Sequence, residues 1–307
     1  MLPRIYVSVC MIVLGFCSMV INGIVLSIVV VNNNFGYAFG TICTSHTIAN
    51  IGNAVVFGIL VGPTTLFYPE AHETFLGKRC GQLLIFFWNA SVFTHFLTAF
   101  NRLVIISCPL QYTRIFTDRF TIGVVGVAWM LSAAQIVPYF WNECAIEYKL
   151  TSNTFRFPDT TCGLIVGQFF DLYLSMFMVA TIAAMDLYTL YRIRTANKKL
   201  CVTQGEQERR RSKEIRFFFQ ACIQGCAFMT ELTVYFHIST LFDETSWVHF
   251  SLTTVAWISV HIIDGLIVIV FNRQIGRFAD FISVRLPALS VREGLVQRRT
   301  SANHAES

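Results

Sequence analysis

Charged residues are scarce in this chain. Only 13% of its 307 residues are Asp, Glu, Lys or Arg, and 54% are hydrophobic, whereas about a quarter of the residues of a soluble globular protein are charged. No Asp, Glu, Lys or Arg occurs between Ile5 and Pro69. This deficit argues against a soluble protein and indicates that lipid is the solvent for most of the chain.

Several motifs are also missing. There is no HExxH or GxSxG arrangement, so we do not expect an enzyme. The ten cysteines include no CxxC pair, and no histidine spacing suits zinc, so neither a metal nor another cofactor is expected. No Gly/Pro/Ser-rich linker divides the chain. The net charge of +5 is confined to one loop and the carboxyl-terminal tail, which argues against nucleic acid as a partner.

The sequence contains several hydrophobic stretches that are each long enough to cross a membrane. A spanning helix needs about 20 mostly apolar residues. The charge-free stretch is too long for one helix, and a turn-forming cluster at 32–36 divides it into two. Because lipid forbids unpaired backbone groups, all spans should be helices. The predicted spans are about residues 5–31, 38–67, 81–107, 120–140, 163–191, 215–241 and 247–271.

The distribution of basic residues predicts the direction of these spans. Of the 23 Lys and Arg residues, 18 fall on one side and five on the other, and the richer side should be cytosolic. An odd number of spans then places the amino terminus outside. The expected fold class is an all-α seven-helix membrane bundle over 1–289, with a short amphipathic helix at about 273–286 and a disordered cytosolic tail at 290–307.

Acidic residues in the outer half of the bundle are candidates for ligand binding, since an unpaired charge in a membrane is costly. Asp171 lies about two turns below the predicted outer surface. Glu231 lies slightly outward of the middle of the sixth span, where it could either bind ligand or form a hydrogen bond inside the bundle while protonated. Leu84, Trp88 and Trp257 could line the same pocket, although each could equally be a core or lipid-facing residue.

Two other acids lie deeper in the predicted spans. Asp264 falls near the predicted depth of Asn22 and Asn50, so these three side chains should form a polar cluster, either a switching core or a static packing network. Asp186, near the cytosolic end of the fifth span, is expected to reach water or Arg192.

A motif at the inner end of the third span narrows the class of protein. Asn101-Arg102 is followed at the same spacing by Pro109-Leu110-Gln111-Tyr112. This run resembles the DRY motif and second intracellular loop of rhodopsin-like G-protein-coupled receptors. The resemblance implies that Asn101, Arg102, Pro109, Leu110 and Tyr112 belong to the surface that couples to a heterotrimeric G protein.

The chain as a whole resembles the nematode serpentine receptors of class X, a chemosensory branch of that superfamily. The supporting features include Phe39 to Cys43, Ile48-Ala49-Asn50 and Arg210 to Gln220. The resemblance implies a receptor in the plasma membrane of a sensory cilium, with a small-molecule ligand, a G protein and membrane lipid as partners. A homodimer or heterodimer is left open, and a transporter or channel that uses the intramembrane acids is the alternative function.

The resemblance also implies details of the sites. The cluster of Asn22, Asn50 and Asp264 is similar to the sodium- and water-binding core of the superfamily. A disulfide from Cys80, at the start of the third span, to Cys162 in the second outer loop is expected, with Cys144 of the same loop as the alternative partner of Cys80. Three features depart from the superfamily pattern: Asn101 replaces the acid of the DRY motif, the sixth span lacks its proline, and the seventh lacks its proline and tyrosine.

Overall fold

The computed structural model describes residues 2–31, 36–197, 219–220 and 222–271, and almost all of them are helical. All of the helices except α6 are long and apolar enough within these residues to cross a membrane. The described part of α6 is shorter, and its predicted start at 215 lies outside the described residues, as do the predicted helix at 273–286 and the tail at 290–307. In chain order the helices are α1 (Arg4–Val31), α2 (Tyr37–Phe67), α3 (Phe75–Ser107), α4 (Asp118–Phe140), α5 (Thr161–Thr195), α6 (222–238) and α7 (Trp247–Phe271).

Threonine caps determine where three of these helices begin. The side chain of Thr74 accepts a hydrogen bond from the backbone N–H of Gly77 at 3.3 Å, and α3 therefore starts six residues before the predicted 81. Thr117 and Thr160 cap α4 and α5 in the same way. A side-chain oxygen at this position satisfies one of the N–H groups that the first helical turn leaves unpaired.

The helices pack closely around a large apolar core and a separate, smaller apolar cluster at Ala38, Ile42, Val104 and Phe116. Helix α1 packs on α2, α2 on α3, and α3 on α5. At one crossing a Cβ atom on Gly15 would lie only 2.5 Å from the Cα atom of Gly58, so only glycine permits this approach of α1 to α2. The bundle belongs to one compact unit, Met1–Val268; of the second unit, Ile269–Ser307, the structure describes only residues 269–271.

Wide π-helical turns interrupt several of the helices. They occupy Val56–Val61 in α2, Ile165–Tyr173 in α5, Val234–Ile238 in α6 and Ser251–Val255 in α7. Such turns are rare and are often found at functional sites. Those of α5, α6 and α7 lie in the half of the bundle that the sequence predicts to be outer.

A short hairpin in the loop between α4 and α5 covers this outer end. Strands β1 (Glu147–Lys149) and β2 (Thr154–Arg156) pair antiparallel, with Tyr148 opposite Phe155. Both aromatic side chains are buried. The ring of Phe155 lies 6.2 Å from that of Trp257, centroid to centroid, so the hairpin reaches into the helix bundle and packs on α7.

The same loop carries a disulfide that differs from the predicted one. Cys144 is bonded to Cys162, with their Cα atoms 5.0 Å apart, and Cys80 is free. The prediction of Cys80–Cys162 was therefore wrong. Cys144 and Cys162 lie at the two ends of the hairpin loop, so the bond closes the loop on itself. Packing holds the loop on α3 instead: a Cβ atom on Gly81 would meet the backbone oxygen of Ile146 at 2.5 Å.

Candidate functional site

A small cavity of about 10 Å³, with room for about one water molecule, lies among α3, α5, α6 and α7. Four of the five residues predicted to bind ligand line it. The fifth, Leu84, is wholly buried in the adjoining apolar core and does not line the cavity. The lining residues are Trp88, Asp171, Glu231, Leu232, Tyr235, Phe236 and Trp257.

Several polar groups around this cavity lack hydrogen-bond partners among the described residues. Asp171 is only 6% exposed, and its Oδ1 atom has no hydrogen-bond partner. The indole Nε1 of Trp257 likewise lacks a partner. Glu231, also 6% exposed, makes no hydrogen bond or ion pair with any residue that the structure describes. Buried polar groups are normally paired, so each of these needs an explanation.

Three basic side chains on the outer face form ion pairs away from the cavity. Lys78 and Lys149 both contact the carboxylate of Glu147, at 2.7 and 2.9 Å. Burial alone would raise the pKa of Glu147, but the hydrogen bonds from the two lysines outweigh it and hold this pKa below its usual value. Arg156 pairs with Glu244 at 2.5 Å. Neither pair neutralises the acids of the cavity.

A larger space, of about 170 Å³, lies between the hairpin and the outer ends of α5, α6 and α7. Tyr235 and Phe236 line both this vestibule and the smaller cavity, so their side chains separate the two. The hydroxyl of Tyr235 donates a hydrogen bond of 2.6 Å to the backbone oxygen of Phe155. The dividing wall is therefore tied to the hairpin that covers the bundle.

In contrast, Asp264 is fully partnered in the middle of the bundle. Its Oδ2 atom accepts a hydrogen bond from Asn50 Nδ2 at 2.6 Å and lies 2.7 Å from His46 Nε2. Its Oδ1 atom accepts a hydrogen bond from Gln224 Nε2 at 2.7 Å. These contacts join α2, α6 and α7 at one carboxylate.

The predicted companions of Asp264 belong to the same network. Asn50 Nδ2 lies 3.4 Å from the side-chain oxygen of Asn22, and the Asn22 amide donates to the backbone oxygen of His261 at 3.1 Å. Asn50 also accepts a hydrogen bond from Ser91 on α3 at 2.9 Å. The structure thus brings Asn22, Asn50 and Asp264 together, as the sequence predicted.

The sequence reasoning missed His46, although a signal was available. His46 precedes Asn50 by four residues, so both side chains lie on one face of α2. Donor atoms of His46, His95 and Asp264 all lie within 4.8 Å of one another. A tetrahedral zinc site would hold its donor atoms about 3.3 Å apart. The 2.7 Å between His46 and Asp264 is the distance of a hydrogen-bonded pair.

At the inner end of the bundle, Arg102 forms an ion pair with Asp186. The guanidinium Nη2 of Arg102 lies 3.1 and 3.2 Å from the two carboxylate oxygens, and Asp186 is only 7% exposed. The expectation that Asp186 reaches water or Arg192 was therefore wrong; Arg192 donates to the backbone oxygen of Ser107 instead. A partner on α5 thus holds Arg102, which lacks an acidic neighbour in its own motif.

The other predicted coupling residues lie beside this pair. The amide of Asn101 donates a hydrogen bond to the hydroxyl of Tyr112 at 3.1 Å. Pro109 begins a short helix, Pro109–Ile115, where its missing N–H is not needed. Leu110 on this helix is 92% exposed. The short helix therefore presents an apolar side chain on the predicted cytosolic face.

Comparisons with known proteins agree with this architecture. Residues 12–272 match the model of the family described as serpentine type 7TM GPCR chemoreceptor Srx. Serpentine receptor class X 45 of Caenorhabditis elegans is 25% identical over 261 residues, which cover 77% of this chain and 70% of that protein. Serpentine receptor class X-43 of the same organism is 23% identical over 202 residues, covering 64% of this chain and 62% of that protein.

A solved structure shows the same fold. The crystal structure of squid rhodopsin has a TM-score of 0.65 against this chain at 15% sequence identity, covering 93% of this chain and 86% of that chain. The arrangement of helices is therefore rhodopsin-like. Because the family model matches most of its length, the chain belongs to the Srx family of seven-transmembrane G-protein-coupled chemoreceptors.

Proposed function

We propose that this receptor binds a small molecule in the outer half of its bundle and, in response, activates a heterotrimeric G protein. The observation that carries the proposal is the buried ion pair between Arg102 and Asp186. It joins the inner ends of α3 and α5 beside the exposed Leu110. A charged side chain at this depth is costly unless paired, so the pair favours one arrangement of the inner ends.

Activation requires a second arrangement of the same helices. In that arrangement α6 moves outward and Arg102 leaves Asp186 to take part in a groove for the G-protein α subunit. A ligand can favour this arrangement only by binding it more tightly than the resting one. The ligand binds in the cavity and the vestibule, whose linings include residues on the π-helical turns of α6 and α7. A rearrangement of these turns would change the affinity for the ligand between the two arrangements.

The docking surface for the G protein would be the short helix with Pro109, Leu110 and Tyr112, together with the inner ends of α3 and α5. Arg192 and Arg194 on α5 add positive charge to this face. Such basic residues also attract anionic lipid of the cytosolic leaflet. The plasma membrane of a sensory cilium is the location that suits a receptor of this kind.

Replacing Arg102 tests this function. We expect Arg102→Ala to abolish ligand-evoked G-protein signalling at normal surface expression, because the side chain that the groove requires is missing. The measurement is calcium or cAMP in cells that express the chain and are exposed to volatile and water-soluble chemicals. Arg119→Ala, which removes an exposed charge at the inner start of α4 and outside the proposed docking helix, is the matched control and should signal normally.

Undiminished signalling from Arg102→Ala would remove the proposal as stated. Ligand-dependent current or uptake in cells without a responsive G protein would favour the transporter or channel instead.

A further inference from the structure

We propose that the outer cavity binds a small organic cation, an ammonium compound whose positive charge lies between Asp171 and Glu231. This inference rests on the proposed function, since it names the ligand class of the same receptor site. The two acids come from neighbouring helices, α5 and α6, and line one cavity. Each is more than nine-tenths buried.

The charge balance around the cavity is the first argument. Two carboxylates that face one buried space repel each other when ionised, and a cation placed between them relieves both the repulsion and the cost of burial. Four basic side chains of the outer face contact other groups and not these acids. Lys78 and Lys149 share Glu147, Arg156 pairs with Glu244, and Arg79 donates hydrogen bonds to Gln82 and to the backbone oxygen of Tyr139.

Unused polar atoms provide a second, independent argument. The Oδ1 atom of Asp171 is buried without a hydrogen-bond partner, and so is the indole N–H of Trp257 on the opposite helix. The first is an acceptor for an ammonium N–H, and the second is a donor for an oxygen of the same ligand. A ligand that carries both an ammonium group and a hydrogen-bond acceptor would satisfy both atoms.

The aromatic walls favour an organic cation over an inorganic one. The ring of Trp257 lies 6.3 Å from that of Trp88 and 5.6 Å from that of Tyr235, centroid to centroid, and both contacts are edge-to-face. All three side chains line the cavity. Aromatic faces around a site attract ammonium groups through cation–π contacts, which strengthen as water is excluded.

The cavity must enlarge to hold such a ligand, and the structure has a suitable wall. Among the residues that the structure describes, only Tyr235 and Phe236 line both the cavity and the vestibule of about 170 Å³. Both residues lie on the π-helical turn Val234–Ile238. A rotation of their side chains would join the two spaces, and it would break the hydrogen bond from Tyr235 to the hairpin at Phe155. Ligand entry is thereby coupled to a change in α6.

The test is a binding measurement that needs no G protein. Purified receptor in lipid nanodiscs would be heated with benzylamine or cyclohexylamine at millimolar concentration near neutral pH. Benzyl alcohol, cyclohexanol and benzoate are the neutral and anionic counterparts. We expect ammonium probes to raise the melting temperature and their counterparts to leave it unchanged, because ligand that binds only the folded state stabilises it.

Variants assign the binding to the two acids. Asp171→Asn and Glu231→Gln should each weaken ammonium binding about tenfold or more, since each removes one charge from a buried charge contact. Asp243→Asn, an exposed acid in the outer loop between α6 and α7, is the matched control and should bind as the wild type does.

The outcomes separate this inference from the proposed function. Equal stabilisation by ammonium and neutral probes, stabilisation by none of the ammonium probes, or undiminished binding in both acid variants would overturn the cation site. If the wild type signals through a G protein in response to uncharged chemicals only, the receptor function stands and the cation site is wrong. Binding that depends on Asp171 and Glu231 without any G-protein response supports the site and counts against the proposed function.

Discussion

The acids at two depths of this bundle are equally buried but differently partnered. Asp264, in the middle, is contacted by His46, Asn50 and Gln224 through both of its oxygens. Asp171 and Glu231, in the outer half, contact no described base or amide, and Asp171 has an oxygen without any partner. The same residue type therefore meets two different environments within one membrane protein.

This difference in partners indicates which acids hold the fold together and which belong to a binding site. A buried charge with a full set of partners fixes the helices that supply those partners, here α2, α6 and α7. A buried charge without partners lowers the stability of the protein and is retained where something else uses it. We interpret the middle cluster as the structural centre of the bundle and the outer acids as the place where a ligand completes the structure.

The largest effect is expected from breaking the middle cluster. His46→Leu leaves the carboxylate of Asp264 buried without its basic partner, and breaking such a pair costs about 3–5 kcal/mol of unfolding free energy. The melting temperature of purified receptor and the surface expression should both fall. His95→Leu is the control, because His95 is equally buried but makes no hydrogen bond to Asp264 in the described residues. Equal losses of melting temperature and surface expression in both variants would show that the contact between His46 and Asp264 makes no specific contribution to stability.

An intermediate effect is expected at the inner ion pair. Asp186→Asn removes the charge that holds Arg102 on α5, so the resting arrangement loses stability relative to the active one. We expect basal G-protein signalling to rise several-fold at matched surface expression. Asp118→Asn, an exposed acid at the inner start of α4, should leave basal signalling unchanged. A fall in basal signalling for Asp186→Asn would mean that the ion pair belongs to the active arrangement.

The smallest effect is expected at His72, a buried base that contacts no acid among the described residues. His72, in the outer turn between α2 and α3, is buried; its Nε2 atom lies 2.9 Å from the hydroxyl of Thr65, and its Nδ1 atom has no partner. Burial lowers the pKa of His72 to about 4. An unfolded histidine has a pKa of about 6.5.

This shift predicts a pH dependence of stability. Between pH values of about 6.5 and 4 the unfolded chain binds a proton that folded His72 does not, so stability falls as the pH falls through this window. The side chain of His72→Gln cannot titrate, so we expect the melting temperature of this variant to fall less than that of the wild type over the same pH window. Parallel curves for the two proteins would contradict the assignment to His72.

Part of this structure was predictable from the sequence. Lipid imposes a length and an apolar composition on each helix, so the spans can be read from hydropathy. The proximity of Asn22, Asn50 and Asp264 follows from their depths in three spans. His46 could have been added from its spacing to Asn50, since residues four apart share a helix face.

The remainder depended on which helices meet. Arg102 and Asp186 are 84 residues apart, and nothing in either span indicates that α3 and α5 bring them together. Both loop cysteines, Cys144 and Cys162, were possible partners of Cys80, but the path of the outer loop brings the two together and they bond to each other. Leu84 was assigned to the same pocket as Trp88, but it lies one turn nearer the outer end on the same face of α3 and packs in the apolar core. The contacts between helices and the path of the loop are set by packing that no local pattern records.

The central claim is that the outer acids serve a ligand and the middle cluster serves the fold. The most direct test is the melting temperature of ligand-free receptor carrying Asp171→Leu, measured beside His46→Leu in the same nanodiscs. Replacing an unpaired buried acid by an apolar side chain of similar size should leave the melting temperature unchanged or raise it, whereas His46→Leu should lower it. A comparable fall in both variants would contradict the distinction, because Asp171 would then be part of the scaffold.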